Sequence, residues 1–229
     1  ASLCAEQESL LDELLQDSLD EIVDYRGGLF IDGLVECSIA KRNALLRRWI
    51  KLHQLPMPPF NQLERIWQEV ALARQDAEPI CRLGDREIRR YQGALWVVRR
   101  INSVMGMTYD WEYPAPLALP ESLGYLIVMN GQGQIRPPRR DEKVTVRFGL
   151  QGSHNIVGRT HSRSSKKLWQ ELGVAPWMRE RTPLIYYNDV LISAVGCFIT
   201  LDGLINDQDE GIAIDWQHSE FWSNRDEYI

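Results

Sequence analysis

Ile80-Cys81-Arg82-Leu83-Gly84-Asp85-Arg86-Glu87-Ile88-Arg89-Arg90-Tyr91-Gln92-Gly93-Ala94-Leu95-Trp96-Val97-Val98 is where the chain changes period. Apolar and polar residues alternate over Ile80–Leu83, Glu87–Tyr91 and Leu95–Val98, and Gly84-Asp85 and Gln92-Gly93 fall between them. That pattern predicts three short strands joined as a β-meander. Upstream the apolar residues recur instead at helical spacing. Leu3, Leu10, Leu11, Leu14, Leu15, Leu19, Ile22 and Val23 predict an acidic amphipathic helix over 2–24, ended by Gly27-Gly28. After a short strand at Leu29-Phe30-Ile31, Ser38 opens a second helix to about Gln54, with Ile39, Leu45, Leu46, Trp49 and Ile50 inward. Lys41, Arg42, Arg47, Arg48 and Lys51 decorate its surface. Past Pro56-Met57-Pro58-Pro59, Asn61 and Glu64 form a capping-box-like start to a third helix, whose stripe is Leu63, Ile66, Trp67, Val70 and Arg74. Helices followed by strands predict an α+β fold: a mostly helical middle domain with a small β-meander, then a small α+β C-terminal domain.

Downstream of the meander the elements become short and mixed. Tyr109–Pro120 holds three prolines and no helical period, Leu123–Met129 reads as a strand, and Asn130-Gly131-Gln132-Gly133 reads as a turn. A boundary near Gly133–Pro138 is expected. Beyond it come a strand at Val144–Phe148, a helix at Ser164–Leu172 stopped by Gly173, a helical turn at Pro176–Arg181, and strands at Leu184–Tyr187, Val190–Phe198 and Ile212–Trp216. The expected division is therefore 1–24 as a connecting helix, 25–133 as the middle domain and 134–229 as the C-terminal domain.

The 229 residues are 44% apolar and 25% charged, which supports a packed core and excludes wholesale disorder. No window approaches the ~18 consecutive apolar residues of a membrane helix, and the first residues lack the layout of a signal peptide, so no membrane is expected. Cys4, Cys37, Cys81 and Cys197 stand far apart, unlike a disulfide scaffold or a zinc ribbon, and read as buried thiols in a reducing cytoplasm. The catalytic classes find no support. There is no phosphate loop, Gly131-Gln132-Gly133 lacks the context of a dinucleotide site, and His53, His154, His161 and His218 are not spaced as ligands. No cofactor and no metal are expected, and an independent hydrolase or transferase would need a site that is not found.

Charge is distributed unevenly. Eleven basic and four acidic residues stand between Arg136 and Arg181, an excess of seven positive charges in a chain of net −6, so the remainder carries −13. Such asymmetry is the footprint of a phosphate-binding face. Within it, Arg159, Arg163, Lys166 and Lys167 run from a basic loop into a helix that Ser164 or Ser165 is expected to cap, presenting backbone N–H groups beside the two lysines. His154 and His161 lie in the same stretch. Trp169, beside Leu168 and Leu172, reads as core, and Trp177 stands at the start of a turn. The rival reading is a protein-interaction module whose basic face docks an acidic partner, such as the helix 2–24.

The run Lys166-Lys167-Leu168-Trp169-Gln170-Glu171-Leu172-Gly173-Val174-Ala175-Pro176-Trp177-Met178-Arg179-Glu180-Arg181-Thr182-Pro183-Leu184-Ile185-Tyr186-Tyr187 resembles the C-terminal domain of tRNA(Ile)-lysidine synthases, especially the longer, three-domain bacterial form. Val144-Thr145-Val146-Arg147-Phe148 and Val157-Gly158-Arg159 fit the same domain, and Ile66–Arg74 with Glu87–Tyr91 resemble the family's middle, substrate-recognition domain. The resemblance implies a parent enzyme, a ligase, that uses ATP and Mg to adenylate the wobble cytidine of a minor isoleucine tRNA and then joins lysine to it. It places that chemistry in an N-terminal catalytic domain with a Ser-Gly-Gly-x-Asp-Ser loop, a motif this sequence lacks. It leaves the present residues to bind tRNA, catalytically silent alone, with that catalytic domain as a partner and a homodimer left open. Arg147, Gly158, Lys166, Lys167 and Arg179 match the family's basic and glycine positions, and Arg159 and Arg163 are added on physical grounds. Ala194-Val195-Gly196-Cys197-Phe198 departs from the shorter family form, where a tryptophan-rich strand ending in Gly-x-Arg is common.

Overall fold

The computed structural model describes residues 2–74, 77–206 and 209–217, and divides the chain into two compact units, Ala1–Arg100 and Ile101–Ile229. His218 lies outside the described residues. The architecture is α+β, as the period change predicts.

In the first unit, α1 (Ser2–Asp20) is followed by β1 (Leu29–Phe30), α2 (Asp32–Val35), α3 (Ile39–Leu52), α4 (Phe60–Arg65) and a π-helical turn at Ile66–Ala71. The meander β2 (Ile80–Leu83), β3 (Arg86–Tyr91) and β4 (Ala94–Arg99) completes it, and β1 adds a fourth antiparallel strand in the order β1-β4-β3-β2. Both residues of the Gln92-Gly93 turn have positive φ, 48° and 76°, the backbone that a tight hairpin demands. α1 ends at Asp20, four residues before the expected stop, because the Asp24 carboxylate accepts the N–H groups of Arg26 and Gly28 at 2.9 and 2.8 Å and turns the chain. Its leucine stripe is only half used. Leu15 and Leu19 pack on the core, whereas Leu10, Leu11 and Leu14 are exposed, the helix being held there by the Asp12–Arg48 ion pair.

α3 begins as expected, with the Ser38 hydroxyl accepting the Lys41 N–H at 3.3 Å. Ile39, expected inward, is exposed at the first helical position, while Arg42, three residues on, is buried with its guanidinium 4.3 Å above the Trp67 ring. Trp49 lies at the centre and donates its indole N–H to the Gly27 carbonyl at 2.9 Å. The Asn61–Glu64 capping box does not form: α4 starts at Phe60 behind Pro59 without a side-chain cap, and Glu64 accepts from Asn43 at 3.4 Å. The helical run stops at Ala71, so Arg74 is exposed while Leu63, Ile66, Trp67 and Val70 are buried.

The second unit starts earlier than the expected boundary. β5 (Thr108–Asp110), β6 (Leu117–Ala118), a 3-10 turn at Pro120–Ser122 and β7 (Tyr125–Ile135) precede β8 (Val144–Arg147), β9 (Ser153–His154) and β10 (Arg163–Ser164). Then come α5 (Ser165–Glu171), α6 (Pro176–Arg179), β11 (Leu184–Tyr187), β12 (Val190–Ala194), β13 (Phe198–Ile199), a 3-10 turn at Leu201–Gly203 and β14 (Ile212–Gln217). Antiparallel sheets run β13-β12-β11-β8-β5 and β14-β7-β6, with β10-β9 as a separate ladder. Residues 101–133 belong here because β5 pairs with β8 and β7 with β14, and Val104, Trp111 and Leu126 pack with Val146, Ile185 and Ile192. Asn130–Gly133 is the middle of β7 rather than a turn. Gly131 is at φ 69° and donates its N–H to Gly211 at 2.8 Å, and a Cβ on Gly133 would stand 2.1 Å from the Ile212 carbonyl oxygen. The glycines let two backbones touch.

Val190–Phe198 is likewise a hairpin, not one strand, turning at Gly196 so that Ser193 pairs with Ile199. Of the thiols, Cys81 is buried and Cys37 and Cys197 are half-buried, none of the three in a disulfide. No helix among the described residues is long and apolar enough to cross a membrane.

Candidate nucleic-acid interface

α5 hangs from the small β9–β10 ladder, where Arg163 and Ser164 pair with His154 and Ser153. Ser164 holds the N-cap position without a side-chain capping bond, and the Ser165 N–H is taken by the Gly152 carbonyl at 2.9 Å. The expected serine cap is therefore absent. Leu168 and Trp169 turn inward onto Leu150, Ile156 and Leu184, which leaves Lys166 and Lys167 on the outer side of α5. Both lysines are exposed and form no ion pair with a described residue. Trp169 is core, as expected, with its ring 5.9 Å from that of Phe198, and Trp177 is buried as well.

The loop between β9 and β10 brings Arg159 to the same place. Its Nη2 lies 3.6 Å from Glu171 Oε2, and Arg163 Nε lies 3.5 Å from Glu171 Oε1. One carboxylate at the end of α5 thus faces two guanidiniums, one at each oxygen. These are charge contacts longer than good hydrogen bonds, and Arg163 Nε is buried with no hydrogen-bond partner. At this exposure such pairs contribute little stability. Their effect is orientation: Arg159 and Arg163 are held against the last residue of α5, so that the helix and its contacts carry four positive charges against Glu171. Gly158, in that loop, sits at φ 78° with nothing within 4 Å of a would-be Cβ, so it serves the turn and not a close approach.

Arg147 and Arg179 do not share partners with this cluster. Arg147 lies 4.3 Å over the Tyr186 ring, donates to the Asn188 carbonyl at 2.8 Å and pairs with Asp189 at 3.0 Å, beside a shallow cleft that Met107, Phe148 and Gly149 also line. Burial pushes the Tyr186 phenol above its ordinary pKa. Arg179 donates Nε to the Val174 carbonyl at 2.9 Å. Elsewhere in the basic stretch, Arg136 is clamped by both oxygens of Glu142 at 2.7 Å, Lys143 pairs with Asp110 at 2.7 Å, and Arg181 is buried. Arg139, Arg140, Lys166 and Lys167 are the exposed cations of this stretch that hold no ion pair among the described residues. Arg139 and Arg140 stood outside the candidate set, as did Glu171. The signal for Glu171 was its place four residues after Lys167, but its observed partners come from another element.

Comparison with known proteins joins this geometry to a family. Residues 29–96 match a family model described as the TilS substrate binding domain, and residues 144–216 match one described as the TilS substrate C-terminal domain. The tRNA(Ile)-lysidine synthase of Photorhabdus laumondii is 51% identical over 216 residues, covering 94% of this chain and 49% of that protein. The chain belongs to the tRNA(Ile)-lysidine synthase family. Synthases of that name from Proteus mirabilis and Serratia proteamaculans are 51% and 47% identical over 96% and 95% of this chain, each match covering 50% of the relative. The chain spans about half the length of the curated relatives it matches. Arg147, Gly158, Arg159, Arg163, Lys166, Lys167 and Arg179 all fall within the stretch matched by the synthase family's C-terminal model.

Proposed function

We propose that this chain is the tRNA-gripping part of a tRNA(Ile)-lysidine synthase and that the outer side of α5, with Arg159 and Arg163, is its grip on the phosphate backbone. The observation that carries the reading is that two arginines are oriented on Glu171 of α5, the helix that also presents two exposed lysines in no ion pair, inside the family's C-terminal stretch. Double-stranded RNA offers phosphates and 2′-hydroxyls in a shape that basic side chains follow. Arg147 and Arg179 extend the surface, Arg147 with the Tyr186 ring beneath it.

In this reading residues up to about 24 lead from an N-terminal catalytic domain, the first unit recognises substrate, and 134–229, built together with 101–133, hold the minor isoleucine tRNA in the cytoplasm. The parent protein joins lysine to the wobble cytidine at the expense of ATP. The residues present do not fit ATP or its metal: the sequence has no phosphate loop, and no group of His, Cys, Asp or Glu among the described residues is arranged to hold a metal ion. The chain by itself is inactive in ligation.

Lys166→Ala with Lys167→Ala tests the grip. Fluorescence anisotropy with transcribed isoleucine tRNA across a salt series should show weaker binding and a slope of log Kobs against log salt flattened by roughly 0.7–0.9 for each phosphate that the lysines no longer neutralise. Unchanged affinity and slope would remove the two lysines from the interface.

A further inference from the structure

A second concentration of cations lies in the first unit, on β2, β3 and β4. Ile88, Cys81, Leu83 and Leu95 face the helical core, so Arg82, Glu87, Arg89 and, by strand alternation, Arg100 project from the other side of the sheet. The Glu87 side chain is only 7% exposed, and its Oε2 accepts both Arg89 Nη2 at 2.7 Å and Arg89 Nε at 3.0 Å. Its Oε1 has Arg82 Nε at 3.8 Å and Arg100 Nε at 3.9 Å, too far for hydrogen bonds, and those two side chains are 69% and 51% exposed. Three guanidiniums therefore surround a carboxylate that neutralises one of them.

Two more arginines stand on the core-facing side of the same sheet. Arg86 is paired directly with Arg99 across β3 and β4, and like charges in that position destabilise a ladder. Asp85 lies 3.7 Å from Arg86. The Arg86 guanidinium is held below its ordinary pKa, first by burial and further by Arg99, against the opposing pull of Asp85. The Arg100 N–H donates to the Asp85 carbonyl at 3.0 Å, which draws Arg100 back over the β2–β3 turn. Three arginines, Arg82, Arg89 and Arg100, and one carboxylate, Glu87, thus share the outer face at one end of a rigid sheet. Planar, bidentate donors whose charge a single carboxylate only partly neutralises match a polyanion of phosphates.

We infer that this end of the sheet is a second phosphate-binding surface, in which Arg82 and Arg100 take the sugar-phosphate backbone of the RNA while Glu87 and Arg89 fix their positions. The inference rests on the RNA reading above. Glu87 is a positioning residue, holding the arginines apart and aligned.

The test uses the 229-residue chain with Arg82→Gln and Arg100→Gln together, titrated with transcribed isoleucine tRNA by anisotropy over a salt series, beside the parent chain and the Lys166→Ala, Lys167→Ala variant. The expected result is roughly fivefold to thirtyfold weaker binding and a salt slope lowered by about one to two units, with a thermal midpoint equal to or above that of the parent, since repulsion is relieved. A variant that binds as the parent does, while the lysine variant is weakened, overturns the inference and leaves the RNA reading standing. A parent chain that binds no tRNA overturns both. Independently of folding in the variant, RNA should protect Arg82 and Arg100 of the parent chain from modification by phenylglyoxal, read by peptide mass spectrometry, and equal modification with and without bound RNA would overturn the inference as well.

Discussion

Between β7 and β8 the chain is tied by Arg136, whose guanidinium meets both oxygens of Glu142, lies 4.8 Å over the Tyr187 ring and donates to the Asp202 carbonyl at 2.9 Å. The Arg136 bonds, helped by the Arg139 N–H, pull the Glu142 carboxyl down from 4.5 to about 2. Because the folded-state pKa is the lower one, the stabilisation is fully present above about pH 4.5 and is lost as pH falls toward 2. Glu142→Gln should therefore lower unfolding stability at pH 7 by on the order of 2 kcal/mol, with the gap to the parent closing as the pH is taken from 5 to 2 in urea titrations. A gap that does not change with pH would contradict the assignment. Glu171 has the opposite kind of role, because its two arginine contacts are long and partly exposed and so contribute little stability. In the proposed reading its negative charge keeps the basic surface from holding any polyanion. Glu171→Gln should tighten binding to a generic RNA duplex by roughly threefold, about 0.6 kcal/mol, more than it tightens binding to tRNA, narrowing the preference. Parallel anisotropy titrations measure that ratio, and an unchanged ratio would remove Glu171 from discrimination.

At the scale of elements, β7 shows what packing adds to pattern. Gly133 lies against the backbone of β14, so Gly133→Ala should cost roughly 2–4 kcal/mol by chemical denaturation, since the clash is with a carbonyl oxygen that cannot turn aside. Gly158→Ala, with positive φ but open space, should cost only about 1 kcal/mol. Equal destabilisation at the two sites would contradict the account of β7. The meander, α3 and the inward faces of Leu45, Trp49, Leu63 and Ile88 were legible because each is announced by its own period. β7 was not, because its partner β14 lies far along the chain and two glycines that allow close approach look the same in sequence as two that make a turn. The missing cap of α5 was not legible either. Ser164 has the right residue type and the N-cap position, but its side chain forms no capping bond. Arg42 reversed the inward and outward assignment at the start of α3 because Trp67, from a later element, gave its guanidinium a ring to cover.

Over the whole molecule, the excess of cations between Arg136 and Arg181 was visible at once, and Arg159 and Arg163 meet Glu171, the last residue of the helix whose first turn carries Lys166 and Lys167. Which cations are available was not visible. Arg136, Lys143 and Arg147 are neutralised by Glu142, Asp110 and Asp189, two of which are brought in by strand pairing or a hairpin turn far along the chain. In the first unit the arginines of the meander are interleaved with acids in sequence, and only the register shows Arg82, Arg89 and Arg100 gathered around Glu87 on one face of the sheet. In the proposed reading, a chain of net charge −6 that gathers arginine and lysine on each of its two units holds a polyanion at those places and repels it elsewhere. The most direct test is an anisotropy titration of the unmodified chain, at near-physiological salt, with the minor isoleucine tRNA, a methionine tRNA and a generic RNA duplex. The account predicts saturable binding to tRNA, tighter than to the duplex and weakened by added salt, whereas no saturable binding to any of the three would contradict it.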